Sequence, residues 1–128
     1  MNTIIVDSDI LIDFTRGNET AVNWLDDAKS KSMLLISSIT EMELILGSRD
    51  KRHLKEIQQF LTRFQIISIN GQISNQATEL VEKYCLSHRL SIPDAIIAAT
   101  VITLDESLAT NNQKDFRFID GLRLLKYP

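Results

Sequence analysis

A chain of 128 residues, 44% apolar and 24% charged, has the size and composition of a single globular domain spanning residues 1–128. Its opening stretch MNTIIVDSDILID lacks a basic leader, and no apolar run reaches the roughly 20 residues of a membrane span. Secretion and membrane insertion are therefore not expected, the cytoplasm is, and a net charge of −3 counts against a broadly basic nucleic-acid surface.

Thr3–Asp7 (TIIVD) is short, apolar and β-branched, the pattern of a buried parallel strand. A short helix is predicted from Ile10 to about Thr15, stopped by Gly17. Glu19–Lys31 places Val22, Leu25 and Ala28 at helical spacing with Trp24 alongside, and Met33–Ser37 reads as a second strand. Ser38 and Glu41 fit a capping box that opens a helix ending near Gly47. Asp50 caps the next helix, whose apolar stripe is Leu54, Ile57, Leu61 and Phe64. Ile66–Ile69 is a third strand closed by Asn70-Gly71, and a long helix follows from about Gln72 to His88. Ser91–Asp94 opens another helix that continues through Ile102. Ser107–Thr110 and Leu122–Leu125 are late strands around a helical turn near Lys114–Phe118. Strands alternating with helices predict an α/β sandwich, with a mainly parallel central sheet covered on both faces. Sites in such folds form outside the carboxyl ends of the strands, where Asp7 and Asp115 are expected.

The chemistry has to come from carboxylates. The sequence offers no nucleophile triad or phosphate loop, and the lone Cys85, beside Tyr84 and Leu86, reads as a helix residue. His53 and His88 lie far apart in polar, basic surroundings and read as surface residues. Four acids stand out: Asp7, Glu43, Asp94 and Asp115. Ser8 or Asp9 can cap the first helix, which leaves Asp7 without a structural duty. Asp94 is the only charged residue between Ser91 and Leu104, so it either serves a capping box or needs a partner or metal. Alone, Glu43 reads as a helix-surface acid and Asp115 as a loop or cap residue. If the four converge, two charges about 4 Å apart repel by roughly 4 kcal/mol at an effective dielectric near 20. Some must then hold protons or share a divalent cation, and all-oxygen ligation favours Mg²⁺ or Mn²⁺ over zinc.

The segments VDSDILID, ITEMELILG, LSIPDAIIAAT and LATNNQKDF, in this order and spacing, resemble the PIN-domain family, and in particular its VapC-type toxins, over essentially the whole chain. The resemblance implies a PIN-like three-layer sandwich and a metal-dependent endoribonuclease. Its acidic pocket would be Asp7, Glu43, Asp94 and Asp115, with Asp7 and Asp94 as leading metal ligands. Thr110 and Asn112 match supporting positions. Asp9 stands where many relatives have asparagine, and either caps the helix or joins the metal shell. An RNA substrate, a small antitoxin and a homodimer are implied as partners. The antitoxin would lie in an apolar groove between the early helices, with Trp24 and Leu25 as groove or core residues. Arg49, Lys51, Arg52, His53, Lys55 and Arg63, with Arg16 and Lys114, form either an RNA track or a solvated face. A rival reading is a haloacid-dehalogenase-like phosphatase with Asp7 as nucleophile, because IIVDSDIL resembles its DxD motif. That reading lacks its terminal acidic pair. A receiver domain would need an aspartate where Asn70-Gly71 stands, and a catalytically idle PIN module is the non-enzymatic alternative.

Overall fold

The computed structural model describes residues 2–128. In chain order the elements are β1 (Asn2–Val6), α1 (Ser8–Thr15), α2 (Glu19–Lys31), β2 (Ser32–Ser37), α3 (Ser38–Leu46) and α4 (Lys51–Leu61). They continue with β3 (Gln65–Ile67), α5 (Gly71–His88), α6 (Ile92–Leu104), β4 (Ser107–Ala109), a 3-10 turn at Gln113–Asp115 and β5 (Arg123–Leu124). The five strands form one sheet in the order β3-β2-β1-β4-β5, and every pairing is parallel.

Side chains alternate across a strand, and here both faces are buried. Ile4 and Val6 of β1, with Leu34 and Ile36 of β2, face one layer of Ile10, Leu11, Leu25, Ile57 and Phe60 from the early helices. Ile5, Leu35 and Leu108 face the other layer, where α5 and α6 supply Ile73, Leu80, Tyr84, Ile97 and Val101. The continuous apolar runs IIV and LLI therefore have the composition that a doubly covered parallel sheet requires.

This order places the site. From β1 the chain steps outward to β2 and β3 on one side, then returns to lay β4 and β5 on the other. The crevice at such a reversal opens beyond the carboxyl end of β1, and the next residue is Asp7.

Several boundaries differ from the sequence expectation, two of them because the cap lies one step away. The first helix starts at Ser8 rather than Ile10, because Asp7 is itself the N-cap and accepts the Ser8 N–H at 2.8 Å. Ser37, at the end of β2, caps α3 by accepting the Ile39 N–H at 3.2 Å. Ser38 is therefore already helical, and Glu41 is one position too late to close a capping box. The third strand stops at Ile67, and Asn70 caps α5 by accepting the Ile73 N–H at 2.8 Å. The predicted turn near Lys114–Phe118 is the shorter 3-10 turn, and β5 keeps only Arg123 and Leu124 of its predicted span. Among the described residues, no helix is long and apolar enough to cross a membrane.

Candidate active site

Asp7 leaves the end of β1 and is buried, at 4% exposure. Its backbone N–H donates to the Ala109 carbonyl at 2.9 Å and so extends the β1–β4 ladder by one step. Its Oδ1 takes the Ser8 N–H, and its Oδ2 takes the Thr110 hydroxyl at 2.7 Å. Thr110, fully buried just past β4, in turn accepts the Asn112 N–H at 3.0 Å. A hydroxyl has one proton to give, so accepting from Asn112 leaves that proton for Asp7. Asn112 thus acts here through its backbone, and its side chain makes no capping bond.

Asp9 uses both oxygens on backbone N–H groups: Oδ1 accepts from Ile10 at 2.8 Å and Oδ2 from Asn111 at 3.0 Å. It therefore ties the start of α1 to the loop after β4. Gln113 fastens that loop from below, its Nε2 donating to the Thr110 carbonyl at 2.7 Å and the Leu125 carbonyl at 3.3 Å.

Glu43 comes from α3. Its Oε1 accepts the Ser8 hydroxyl at 2.8 Å, and the Thr40 hydroxyl lies 3.1 Å from the same Ser8 oxygen. A carboxylate only accepts, so Ser8 must spend its proton on Glu43, and fully buried Thr40 donates into Ser8. Asp94, in the first turn of α6, is half-buried, and its N–H donates to the Ser91 cap at 3.2 Å. Asp115 is exposed on the 3-10 turn. These last two border a cavity of about 490 Å³.

The acids act on one another. Burial pushes the Asp7 carboxyl up to about 8, with the charges of Asp9 and Asp94 adding to it and the Thr110 and Ser8 bonds opposing. Burial raises Asp9 as well, against hydrogen bonds from Asp7, Ile10 and Asn111. Asp94 is pushed up to about 6, first by burial, against the Ser91 hydroxyl, and then by Asp115, Glu43 and Asp9. All four predicted acids, with Asp9, thus share one electrostatic neighbourhood.

A divalent cation fits the chemistry of this donor set: oxygen ligands only, and partly desolvated acids that form no ion pair among the described residues. Among the described residues no three acidic, imidazole or thiol side chains already surround a common point.

Sequence reasoning did not single out Ser8 and Thr40 as Glu43 supports, or Gln113. Ser8 was visible only as a cap candidate, and a lone threonine in ITEME carries no signal. Of the predicted basic residues, Arg16, Arg49 and His53 line a cleft of about 380 Å³ that Glu43 borders. Arg52 pairs instead with Glu56, and Arg63 lies over the Phe60 ring. Lys51 and Lys55 are exposed on α4. Leu25 is core rather than groove, at 4% exposure, and Trp24 packs edge-on against Tyr127.

The PIN domain family matches residues 4–122. Ribonuclease VapC10 of Mycobacterium tuberculosis is 35% identical over 121 residues, covering 94% of this chain and 90% of that protein. Ribonuclease VapC1 of Rickettsia felis is 28% identical, covering 95% and 94%. Among solved structures, a toxin–antitoxin complex from Klebsiella pneumoniae superposes with a TM-score of 0.82 at 30% identity, covering 98% of each chain. VapBC2 from Rickettsia felis, bound to a DNA fragment from its promoter, gives 0.80 at 25% identity, covering 98% and 99%. The family match over residues 4–122 does not favour the phosphatase reading: the chain belongs to the PIN-domain family.

Proposed function

We propose that this chain is a Mg²⁺- or Mn²⁺-dependent endoribonuclease and the toxin of a toxin–antitoxin pair, acting in the cytoplasm. The observation that carries this reading is Asp7, a buried carboxyl held from two sides at the switch point of a PIN-domain sheet, with the charges of Asp9 and Asp94 acting on it. The ribonuclease relatives supply the reaction class: hydrolysis of an RNA phosphodiester bond.

Asp7 and Asp94 are the proposed direct ligands of the cation, and Glu43 and Asp115 complete the acidic pocket. The chemistry such an ion supplies is a water of lowered pKa and compensation of charge at phosphorus. The chain's own part is to fix these oxygens beforehand. Thr110 and Ser8 N–H hold Asp7, the Thr40–Ser8 relay holds Glu43, and Asp9 fixes the loop that carries Thr110 and Asn112. The test is cleavage of total RNA by the purified protein, with and without Mn²⁺, beside Asp7→Asn. Metal-dependent cleavage lost in the variant supports the assignment. Cleavage that is indifferent to metal and to Asp7 overturns it, and a protein inert under all conditions favours the idle module.

The solved relatives are toxin–antitoxin complexes, and the antitoxin proposed here would lay an amphipathic segment in the cleft lined by Ile12, Leu44 and Ile57. A basic side chain from it would reach Glu43 and the acids behind it. Expression of the chain alone should arrest growth, and co-expression with its antitoxin should restore it. A homodimer is also proposed, and sedimentation at micromolar concentration tests it.

A further inference from the structure

Resting on the ribonuclease reading, we infer that the cavity beside Asp94 and Asp115 is a nucleotide subsite, where the RNA segment flanking the scissile bond is held by stacking and by phosphate contacts. The cavity measures about 490 Å³, within the roughly 300–1,000 Å³ of small-ligand sites. Arg89, Lys114, Arg117, His88 and Phe118 line it together with the two acids.

The three cations are the first support. None of them forms an ion pair among the described residues, although Asp94 and Asp115 line the same cavity. Of the cations around α4, Arg52 is paired and Arg63 lies over an aromatic ring. Three unpaired positive charges beside a catalytic acid pocket, in a protein of net charge −3, are placed where a polyanion must come.

The aromatic pile is the second. The exposed His88 ring lies parallel to Phe118 with centroids 4.0 Å apart and planes 4° apart. Tyr84 packs edge-on against both rings, and its hydroxyl accepts the Asp120 N–H at 3.0 Å, which locks the pile to the segment before β5. A flat, exposed ring with cations beside it is the arrangement by which single-stranded RNA is held through base stacking and backbone charge.

Arg89 supplies the third. It ends α5 in the left-handed region, at φ 52 and ψ 44, a position where glycine or asparagine is favoured. Its exposed side chain makes no hydrogen bond or ion pair among the described residues. Arg89→Gly is therefore a usable variant, because it suits the left-handed backbone while removing a guanidinium that has no partner among the described residues.

The experiment measures binding of a short fluorescein-labelled single-stranded RNA to the Asp7→Asn protein, by anisotropy across a salt series. Arg89→Gly should bind about five- to ten-fold more weakly while its melting temperature holds or rises. Lys114→Gln with Arg117→Gln should weaken binding at least as much and flatten the log–log salt dependence by about one to two, as expected for lost phosphate contacts. His88→Ala should weaken binding about ten-fold with the salt slope unchanged, the mark of lost stacking. Lys29→Gln, at the far end of α2, is the control. If these variants bind like that control while the wild type still cleaves RNA, the subsite is wrong and the nuclease stands. If the wild type neither binds nor cleaves RNA, both readings fall together.

Discussion

The acids on the β1 side of the site and those on the α6 side are held in opposite ways. Asp7, Asp9 and Glu43 each accept one or two hydrogen bonds from neighbours that are themselves fixed by a further bond or by the helix start. Asp94 is steadied only by its own N-cap serine, and Asp115 stands on a short exposed turn with no side-chain hydrogen bond among the described residues. The first group is part of the fold; the second is mounted on it. Function and stability should therefore be inseparable on one side and separable on the other, which tells an experimenter where a loss of activity can be read as chemistry.

The largest effect belongs to the anchored side. Asp7→Asn and Glu43→Gln should each cut metal-dependent RNA cleavage by about 100-fold or more, since the site's charge for the cation is removed. Asp7→Asn should also change how stability responds to pH. The ordinary carboxyl value is 3.8 and the folded one about 8, so between them the unfolded chain has released a proton that the folded chain keeps. The stability that Asp7 contributes to the metal-free protein is then fully present below about pH 4, is lost as pH rises toward 8, and levels off above it. The slope for one such proton is at most about 1.4 kcal/mol per pH unit. Urea unfolding at several pH values, in chelator, should show this fall in the wild type and a flatter line in Asp7→Asn. A wild type that gains stability over that range would mean Asp7 is ionised in the fold.

Metal reverses the penalty, and this extends the contrast to α6. Millimolar Mg²⁺ or Mn²⁺ should raise the melting temperature of the wild type, because an ion bound only by the folded state stabilises it. Asp94→Asn should lose much of that response while its metal-free form stays as stable or becomes more so, as a desolvated acid with a pKa near 6 has been neutralised. An unchanged metal response in Asp94→Asn would take Asp94 out of the ligand set.

A smaller pair of changes sets the two sides directly against each other. Thr110→Val keeps the shape of a fully buried side chain but strands the Asn112 N–H and removes the donor to Asp7. It should cost about 1–3 kcal/mol in folding and about 10- to 100-fold in activity. Asp115→Asn should lower activity about ten-fold yet stay within about 0.5 kcal/mol of the wild-type stability, as exposed substitutions do. Equal stability losses in the two variants would erase the distinction.

Most of the fold was legible because it follows from period and composition. The IIV and LLI runs announce strands buried on both faces, and the nearly all-apolar α6 announces a helix buried along its middle, from Ala95 to Val101. The acids at positions 7, 43, 94 and 115 were legible as motifs in a fixed order, and the structure gathers them in one electrostatic neighbourhood. What could not be read was who holds whom. Capping was misassigned at Asp7 and at Ser37 because neighbouring Asp and Ser residues are nearly interchangeable as caps on sequence grounds. Thr110 to Asp7 spans 103 positions and Ser8 to Glu43 spans 35, and no local pattern encodes such pairs. The Arg89 conformation was invisible for a different reason: left-handed backbone is announced by glycine or asparagine, and arginine announces nothing.

The smallest expected effect is at Glu41, and it tests the orientation of α3. Glu41 and Glu43 are two positions apart, so they point to different faces of the helix. Glu43 meets the Ser8 hydroxyl, whereas Glu41 makes no hydrogen bond or ion pair among the described residues. With Ser37 as the cap, the capping-box position falls on Thr40, and Glu41 is left only the favourable field of the first turn. Glu41→Gln should therefore leave cleavage within about two-fold and stability within about 0.5 kcal/mol of the wild type. Glu41→Ala should behave alike, since no cap is lost. Both are read by urea unfolding and by metal-dependent cleavage of one model RNA, on the same preparations as Glu43→Gln. If Glu41→Gln abolishes cleavage and Glu43→Gln spares it, the helix presents its other face to the acids, and the Thr40–Ser8 relay does not serve the site.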